Sequence, residues 1–563
     1  MQQKTRNCQS CKKDFIIDSD DFAFYEKIKV PPPTFCPQCR LIRRLNWHAY
    51  RILYKRKCDF SGDMVISTHH PDSPHKVYRQ DIWWGDQWDA KTYGRDVDFS
   101  RPFLEQFAEL IREVPLPSLY TAYSTMVRSD YCNAASGLKD CYLCFRMTGG
   151  EDSAYLNTVV DVKQSVDSSF INHSELCYGS VRINKCYQAF FSQDCDDCNE
   201  VWFSKDLSGC SNCIGCINLR GKQYCIFNKQ VTKEEYKKFM DELDLGSPEA
   251  LQAFQKRVDE FMQSQPRKQF HGRRNLNVIG DYISNSKNVR DSYMLNNGEN
   301  LRYCQYLKDG PVRESYDYSL FGDSAEFIYE CAWTGLNASN NKFSSWNYGA
   351  HDIEYCFGCH SSGNMFGCVG IRKGEYCILN KQYTKEEYEA LVEKIRKHMV
   401  DMPYRDKLGR EYPYGEMLPA ELSPWVYNET TAYEWFPITK EEAVAKGFNW
   451  RDEDKREYKE ATATIPDHIK DVPDDIIKEI LKCSSCGANY RLIAKELAFY
   501  KRFNIPVPRH CPLCRDRARI ASLNPMALYK RACAKCAKEI DTTYAPDRPE
   551  IVYCEQCYQA EVA

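Results

Sequence analysis

The feature that most constrains the fold is a cysteine pattern that occurs twice. Cys8-x2-Cys11 is followed, after 24 residues, by Cys36-Pro-x-Cys39-Arg40; Cys483-x2-Cys486 is followed, after the same 24, by Cys511-Pro-x-Cys514-Arg515. One offset of 475 also carries Phe24-Tyr25 onto Phe499-Tyr500, Arg44 onto Arg519, and Leu53-Tyr54-Lys55-Arg56 onto Leu528-Tyr529-Lys530-Arg531. Two Cys-x2-Cys turns place four thiolates around one tetrahedral ion at about 2.3 Å, the zinc distance. A spacing that repeats is not the accident a lone motif can be. Cys8, Cys11, Cys36 and Cys39 are therefore expected to bind one zinc, and Cys483, Cys486, Cys511 and Cys514 another, with iron as the alternative metal. Behind the second module, Cys533-x2-Cys536 and Cys554-x2-Cys557 flank the loop Tyr544–Pro549 and make a third site. The expectation is about three zinc ions.

Subtracting 475 from the third set lands on Cys58, Ser61, Arg79 and Ile82. The N-terminal copy has lost three of four ligands, although His69, His70 and His75 lie near enough in sequence to rebuild a site with Cys58.

A chain of 563 residues with 30 cysteines exceeds one hydrophobic core and should form at least three domains. With no export signal and no apolar run of membrane length, its cysteines read as reduced thiols or ligands in the cytoplasm. Net charge is only -3, but residues 1–60 hold 13 basic against 6 acidic side chains and residues 481–563 hold 14 against 8, which leaves 49 against 65 between them. Basic ends and an acidic middle point to an anionic partner for the ends. After each second Cys pair a helix is expected, with Leu41, Leu45, His48 and Ile52 on its apolar side. Arg40, Arg43, Arg44, Arg51 and Lys55, and in the second copy Arg515, Arg517 and Arg519, would grip a phosphate backbone. Trp47 or Tyr54 would stack on unpaired bases. The hook, hairpin, hook and helix order is treble-clef-like and resembles zinc-bearing proteins of the small ribosomal subunit over about 35 residues.

Between the ends, one column read every nine residues from Cys132 through Cys141, Gly150, Val159, Ser168, Cys177, Cys186, Cys195 and Ser204 to Cys213 is small or apolar throughout, as is a second column three residues on. Stacked inward positions of a parallel β-solenoid have this character, and two nines suggest a turn of about eighteen residues. Such a turn would stack Cys195 and Cys198 on Cys213 and Cys216 as an extra candidate metal site, and would place Tyr142, Tyr178 and Tyr187 on the surface. The run Gly215 to Tyr236 recurs 152 residues later as Gly367 to Tyr388, so the solenoid is itself duplicated. Thr232 with Glu235, and Thr384 with Glu387, are capping boxes opening helices. The expected fold is thus mainly β, a parallel β-solenoid in two duplicated segments with helical caps, flanked by treble-clef or zinc-ribbon modules. Its segments are a zinc module (1–57), a degenerate ribbon (58–90), a helical connector (91–128), solenoid segment one (129–231), a helical insert or cap (232–275), solenoid segment two (276–383), a capping helix (384–402), a tether (403–480), a zinc module (481–532) and a second ribbon (533–563).

The paired Cys-Pro-x-Cys-Arg modules, the segments Asn228 to Tyr236 and Asn380 to Tyr388, and the closing Tyr544 to Tyr558 together resemble a group of uncharacterised zinc-ribbon proteins of reduced-genome bacteria. That resemblance spans nearly the whole chain and implies zinc binding without an activity. No phosphate-binding glycine loop, His-Glu-x2-His or nucleophile elbow occurs, so an enzyme is not the expectation. A nucleic-acid-binding zinc protein is expected. The alternatives are a protein-interaction or self-assembling scaffold, and a β-helix enzyme acting on carbohydrate through Asp194, Asp196, Asp197 and Glu200.

Overall fold

In the large sheets nearly all strands are parallel and stack close to chain order, so each turn of backbone finds its hydrogen-bond partners in the turn that follows. A computed structural model describes residues 3–307, 310–452 and 458–562. Its contacts divide the chain into two units, each assembled from distant segments. One comprises residues 1–119, 270–452 and 526–528, and the other residues 120–269, 453–525 and 529–563.

In the second unit the ladder advances by twelve residues per step: Asn157 pairs with Ser169, Ser169 with Val181, Tyr187 with Asn199, and Asn199 with Ser211. Further bridges with the same step, such as Tyr142 to Ala154 and Gln193 to Lys205, lie on other sides of the turn. The buried side chains fall every third residue, from Cys132, Ala135, Leu138, Cys141, Cys144 and Met147 to Cys210, Cys213 and Cys216. Four inward positions per twelve-residue turn make a four-sided coil with three residues to a side. The expected eighteen-residue turn is therefore corrected to twelve. Nine residues are three sides of the square, so reading every nine steps through all four inward columns in rotation. The expected column is a spiral through the core, and every entry in it is small because every third residue faces in.

The corners explain the three-residue beat. The residue before each inward position is left-handed, as at Asp140 (φ 54), Asp152 (φ 55), Asp161 (φ 49), Asp167 (φ 52) and Gly179 (φ 61). Asp, Asn and Gly accept this conformation at lower cost than other residues, which accounts for their recurrence along 129–231. The small inward residues also satisfy backbone groups. Ser165 Oγ donates to the Lys163 carbonyl at 2.8 Å and accepts from the Cys177 amide, one turn on, at 3.0 Å. Ser174 bridges the Asn172 carbonyl (2.7 Å) and the Cys186 amide (3.0 Å) in the same way. An apolar side chain in place of Ser165 or Ser174 would take these partners from the Cys177 and Cys186 amides.

The coil of the first unit is less regular. Its step is eleven residues from Leu276 to Lys287, fourteen from Leu301 to Ser315 and thirteen from Tyr316 to Tyr329, and it settles at twelve from His351 to Gly363. Both coils end alike. Asn228 pins Ile217 by two bonds (2.8 and 3.0 Å), as Asn380 pins Val369 (2.8 and 2.8 Å), and a short antiparallel strand folds back over the last turn. Capping boxes at Thr232 and Thr384 then open the helices Lys233–Glu242 and Lys385–Asp401, which cover the terminal edge.

The stretch expected as a tether is in part core, since Tyr412, Met417, Leu418, Trp425 and Tyr427 are all buried. Of the tyrosines expected on the surface, Tyr187 is exposed and Tyr142 half-buried, but Tyr178 is corrected, being buried against Phe499 and Tyr500, with ring centroids 5.9 and 5.5 Å away.

Candidate metal centres

Each CPxCR module begins as a two-stranded hairpin whose turn carries the first Cys pair, and the second pair opens a helix. In the N-terminal module strands Lys4–Asn7 and Asp14–Ile17 flank Cys8 and Cys11, and Cys36 caps the helix Pro37–Leu45. The C-terminal module repeats the order, with Cys511 capping Pro512–Ala521. Proline at the first helical position costs no hydrogen bond there. The helix thus turns its free amides toward the sulfurs.

Three groups bring four cysteine sulfurs within 4.8 Å of one another: Cys8, Cys11, Cys36, Cys39; Cys483, Cys486, Cys511, Cys514; and Cys533, Cys536, Cys554, Cys557. The separations from Cys11 to Cys36, Cys486 to Cys511 and Cys536 to Cys554 are 3.7, 3.8 and 3.8 Å. A tetrahedron with bonds of about 2.3 Å has edges of about 3.8 Å, so the sulfurs stand at zinc spacing. Backbone amides support one sulfur in each group at 3.2 Å: Cys36 to Cys8, Cys511 to Cys483 and Cys554 to Cys533. Burial alone would raise the Cys483 and Cys533 thiols, but these amides and those of Cys486 and Cys536 outweigh it and bring both down to about 6. Thiolate is the ligand form. The three groups fit about three zinc ions.

The extra site expected at Cys195, Cys198, Cys213 and Cys216 is not formed. With a twelve-residue turn these residues occupy four different inward columns, and the three terminal groups are the ones among the described residues whose sulfurs converge. Within the coil, cysteines one turn apart include Cys132 and Cys144, Cys186, Cys198 and Cys210, and Cys213 and Cys225. They are buried core thiols.

The degenerate ribbon keeps its shape without its ligands. Strands Tyr54–Lys57, Met64–Ser67 and Val77–Tyr78 lie at the 475 offset from Tyr529–Ala532, Glu539–Thr542 and Val552–Tyr553. Cys58 Sγ still accepts an amide from the second knuckle, now that of Arg79 at 3.2 Å. Where the metal would bridge the knuckles, Arg79 pairs with Asp63 at 2.6 Å. His69, His70 and His75 are buried but form no ligand cluster with Cys58 among the described residues.

The basic helices turn inward, which corrects the largest part of the expected nucleic-acid surface. Arg40, Arg43, Arg44 and Trp47 are 1%, 4%, 0% and 0% exposed, and Arg515 and Arg519 are 9% and 8% exposed. Arg44 donates to Asp317 (2.7 Å), to Ser319 Oγ (3.0 Å) and to the Tyr303 carbonyl (3.2 Å). Arg40 pairs with Asp317 (2.8 Å) and Glu330 (3.2 Å), and Arg43 with Glu330 (3.0 Å) and Glu416 (2.9 Å). In the other unit Arg519 reaches Asp167 (3.3 Å), Ser169 Oγ (3.0 Å) and the Tyr155 carbonyl (3.3 Å), while Arg515 pairs with Asp167 and with Glu496 (2.9 Å). Burial lowers the Arg40 and Arg515 guanidiniums, and the fields of Asp317 and Asp167 more than reverse it, so both stay charged. Trp47 donates its indole N–H to the Leu418 carbonyl at 3.2 Å. Arg51 is largely covered beside Glu434, 3.5 Å away. Of the expected contacts, Lys55 and Arg517 are exposed. The carboxylates of these sockets were missed from sequence because no local motif marks them.

The sequence matches no protein-family model and no curated protein. Among solved structures, a proposed acetyltransferase from Desulfovibrio desulfuricans G20 aligns over 50% of this chain and 86% of that one at 9% identity, with a TM-score of 0.09, on which no structural argument rests. The likeness to zinc-ribbon proteins of reduced-genome bacteria stands on the motifs alone. Fold and site define a mainly β protein with three tetracysteine zinc-binding modules. No helix among the described residues is long and apolar enough to cross a membrane.

Proposed function

We propose that the protein is a non-catalytic, zinc-stabilised scaffold, in which two four-sided β-solenoids are each braced by a tetracysteine module and present rigid, patterned sides to protein partners. The observation that carries this reading is the direction of the arginines: Arg40, Arg44, Arg515 and Arg519 spend their charge on buried carboxylates of their own unit. A phosphate-gripping helix keeps such groups in solvent. Two members of the acidic cluster suggestive of a carbohydrate enzyme are likewise engaged, since Asp194 pairs with Arg182 (2.8 Å) and Asp196 accepts from Asn184 (2.6 Å). These are ladder contacts between successive turns.

The test joins metal content per chain to a salt-dependent shift assay with single-stranded, double-stranded and structured RNA. About three zincs and no salt-sensitive shift are expected. Binding that falls steeply with salt, and is lost on Lys55→Ala with Arg517→Ala, would overturn the scaffold reading in favour of nucleic-acid recognition by the basic groups left exposed on the strand Tyr54–Lys57 and the helix Pro512–Ala521.

A further inference from the structure

The two zinc modules dock on their coils through a shared set of contacts, and one rung of the column that receives them differs in charge. The corner column that receives the module reads Tyr155, Asp167, Gly179, Phe191 in one coil and Tyr303, Asp317, Glu330, Phe343 in the other. Arg515 lies over the Tyr155 ring at 4.8 Å, and Arg40 over Tyr303 at 5.2 Å. Tyr500 meets Tyr178 and Tyr25 meets Tyr329, both at 5.5 Å. At one rung the match fails, because Glu330 stands where the other coil has Gly179. The module facing Glu330 carries Arg43, whose counterpart 475 residues on is Ala518.

Each socket meets its arginines with carboxylates. Arg40, Arg43 and Arg44 face Asp317, Glu330 and Glu416. Arg515 and Arg519 face Asp167 and Glu496, and Arg519 also reaches Asp516 of its own helix at 3.3 Å. Glu496 belongs to its own module, where the N-terminal module has Asp21, and Asp21 pairs with Arg302 of its coil at 2.7 Å. Exchange would break both sets of pairs. The C-terminal module on the other coil would bring two arginines, with Glu496 and Asp516, to three carboxylates. The N-terminal module would set Arg43 against Gly179 with no carboxylate to meet it. A buried charge without a partner is among the costliest faults a packed interface can carry.

We infer that the pair Arg43–Glu330, set against Ala518–Gly179, is the specificity determinant that assigns each zinc module to its own coil. Because the remaining rungs of the two columns are alike, Tyr155 with Tyr303, Asp167 with Asp317 and Phe191 with Phe343, the same pair would also decide which coil of a second copy a displaced module could occupy.

The experiment uses the full-length zinc-loaded chain and hydrogen exchange read on peptides spanning 36–46 and 511–522. Glu330→Gln keeps the side-chain shape and should speed exchange in 36–46 at least tenfold while leaving 511–522 unchanged; Arg43→Met with Glu330→Gln should recover most of the loss. In the other socket Gly179 has φ +61 and a Cβ there would lie 3.0 Å from the Phe191 ring, so Gly179→Gln serves as the control for strain. Relative to that control, Gly179→Glu should speed exchange in 511–522 at least tenfold, and adding Ala518→Arg should return it to within about twofold. The inference is overturned if Ala518→Arg leaves the Gly179→Glu chain as fast as before, or if Glu330→Gln leaves 36–46 unchanged. A purely structural role would show no such rescue.

Discussion

The two ribbons that follow the CPxCR modules share a hairpin and differ in what closes it. In the C-terminal ribbon Cys533, Cys536, Cys554 and Cys557 converge on one point. In the N-terminal ribbon the same strands, at the same offset, are held by the Cys58 sulfur accepting the Arg79 amide and by the Arg79–Asp63 pair. Both third strands also pair in parallel with a short strand from elsewhere in their unit, Val77 with Leu116 and Val552 with Arg267. A small ribbon alone depends on its metal, but one stitched to a larger unit has a second support. The N-terminal hairpin, having lost three ligands, is left to that packing and to the Cys58 and Arg79 contacts.

The largest expected effect separates the ribbons by metal. Cys554→Ser should remove one zinc and open the C-terminal ribbon, with a loss on the order of 10 kcal/mol of local binding free energy seen as proteolysis within 533–562. Cys58→Ser should leave both metal content and proteolysis near those of the parent. The converse experiment rebuilds the lost site: Ser61→Cys, Arg79→Cys and Ile82→Cys together should raise bound zinc from about three to about four per chain. An unchanged count would show that the degenerate hairpin no longer holds its knuckles at ligand spacing.

A smaller difference lies in acid sensitivity. The degenerate ribbon carries buried His69 and His75, where its counterpart has Tyr544 and Glu550. Burial is the main cause holding His75 down to about 4, and it holds His69 well below its ordinary value. His75 is neutral in the folded chain at pH 5, whereas an unfolded imidazole near 6.5 is charged. Unfolding then takes up close to one proton at His75, and His69 acts in the same direction, so stability falls as pH drops from 6.5 toward 4, by about 1.3 kcal/mol per pH unit through His75. Denaturant titrations should show His75→Gln removing that part of the slope. The smallest effect belongs to the surface pair. Asp63→Ala should cost under about 1 kcal/mol, because Asp63 and Arg79 are both well exposed and such pairs are weak. A loss of several kcal/mol would make that pair a true replacement for the metal.

The metal centres were legible because their chemistry is local: two ligands per turn, a spacing written twice, and a proline where the helix begins. The coil was half legible. Its inward residues gave a periodic signal, but nine is a multiple of the true three-residue beat, and only the twelve-residue register separates a column from a spiral. In the other coil, steps of eleven to fourteen residues blurred even that signal. The destination of the arginines was not legible. Arg44 meets Asp317 across 273 residues, and nothing near either residue announces the other. Basic ends and an acidic middle suggest an external anion when charge is counted along the chain. At Asp167, Asp317 and Glu330 the middle supplies the anions itself.

The separation of each plug from its socket also sets an order of events during synthesis. Arg40, Arg43 and Arg44 leave the ribosome with the first zinc module, and Asp317 and Glu330 follow roughly 270 to 290 residues later. At about 5–20 residues per second, the finished first module waits on the order of a quarter of a minute to a minute with its three guanidiniums in water. The C-terminal module meets a coil that has already been made. One half of the molecule is thus completed by waiting, and the other by arrival.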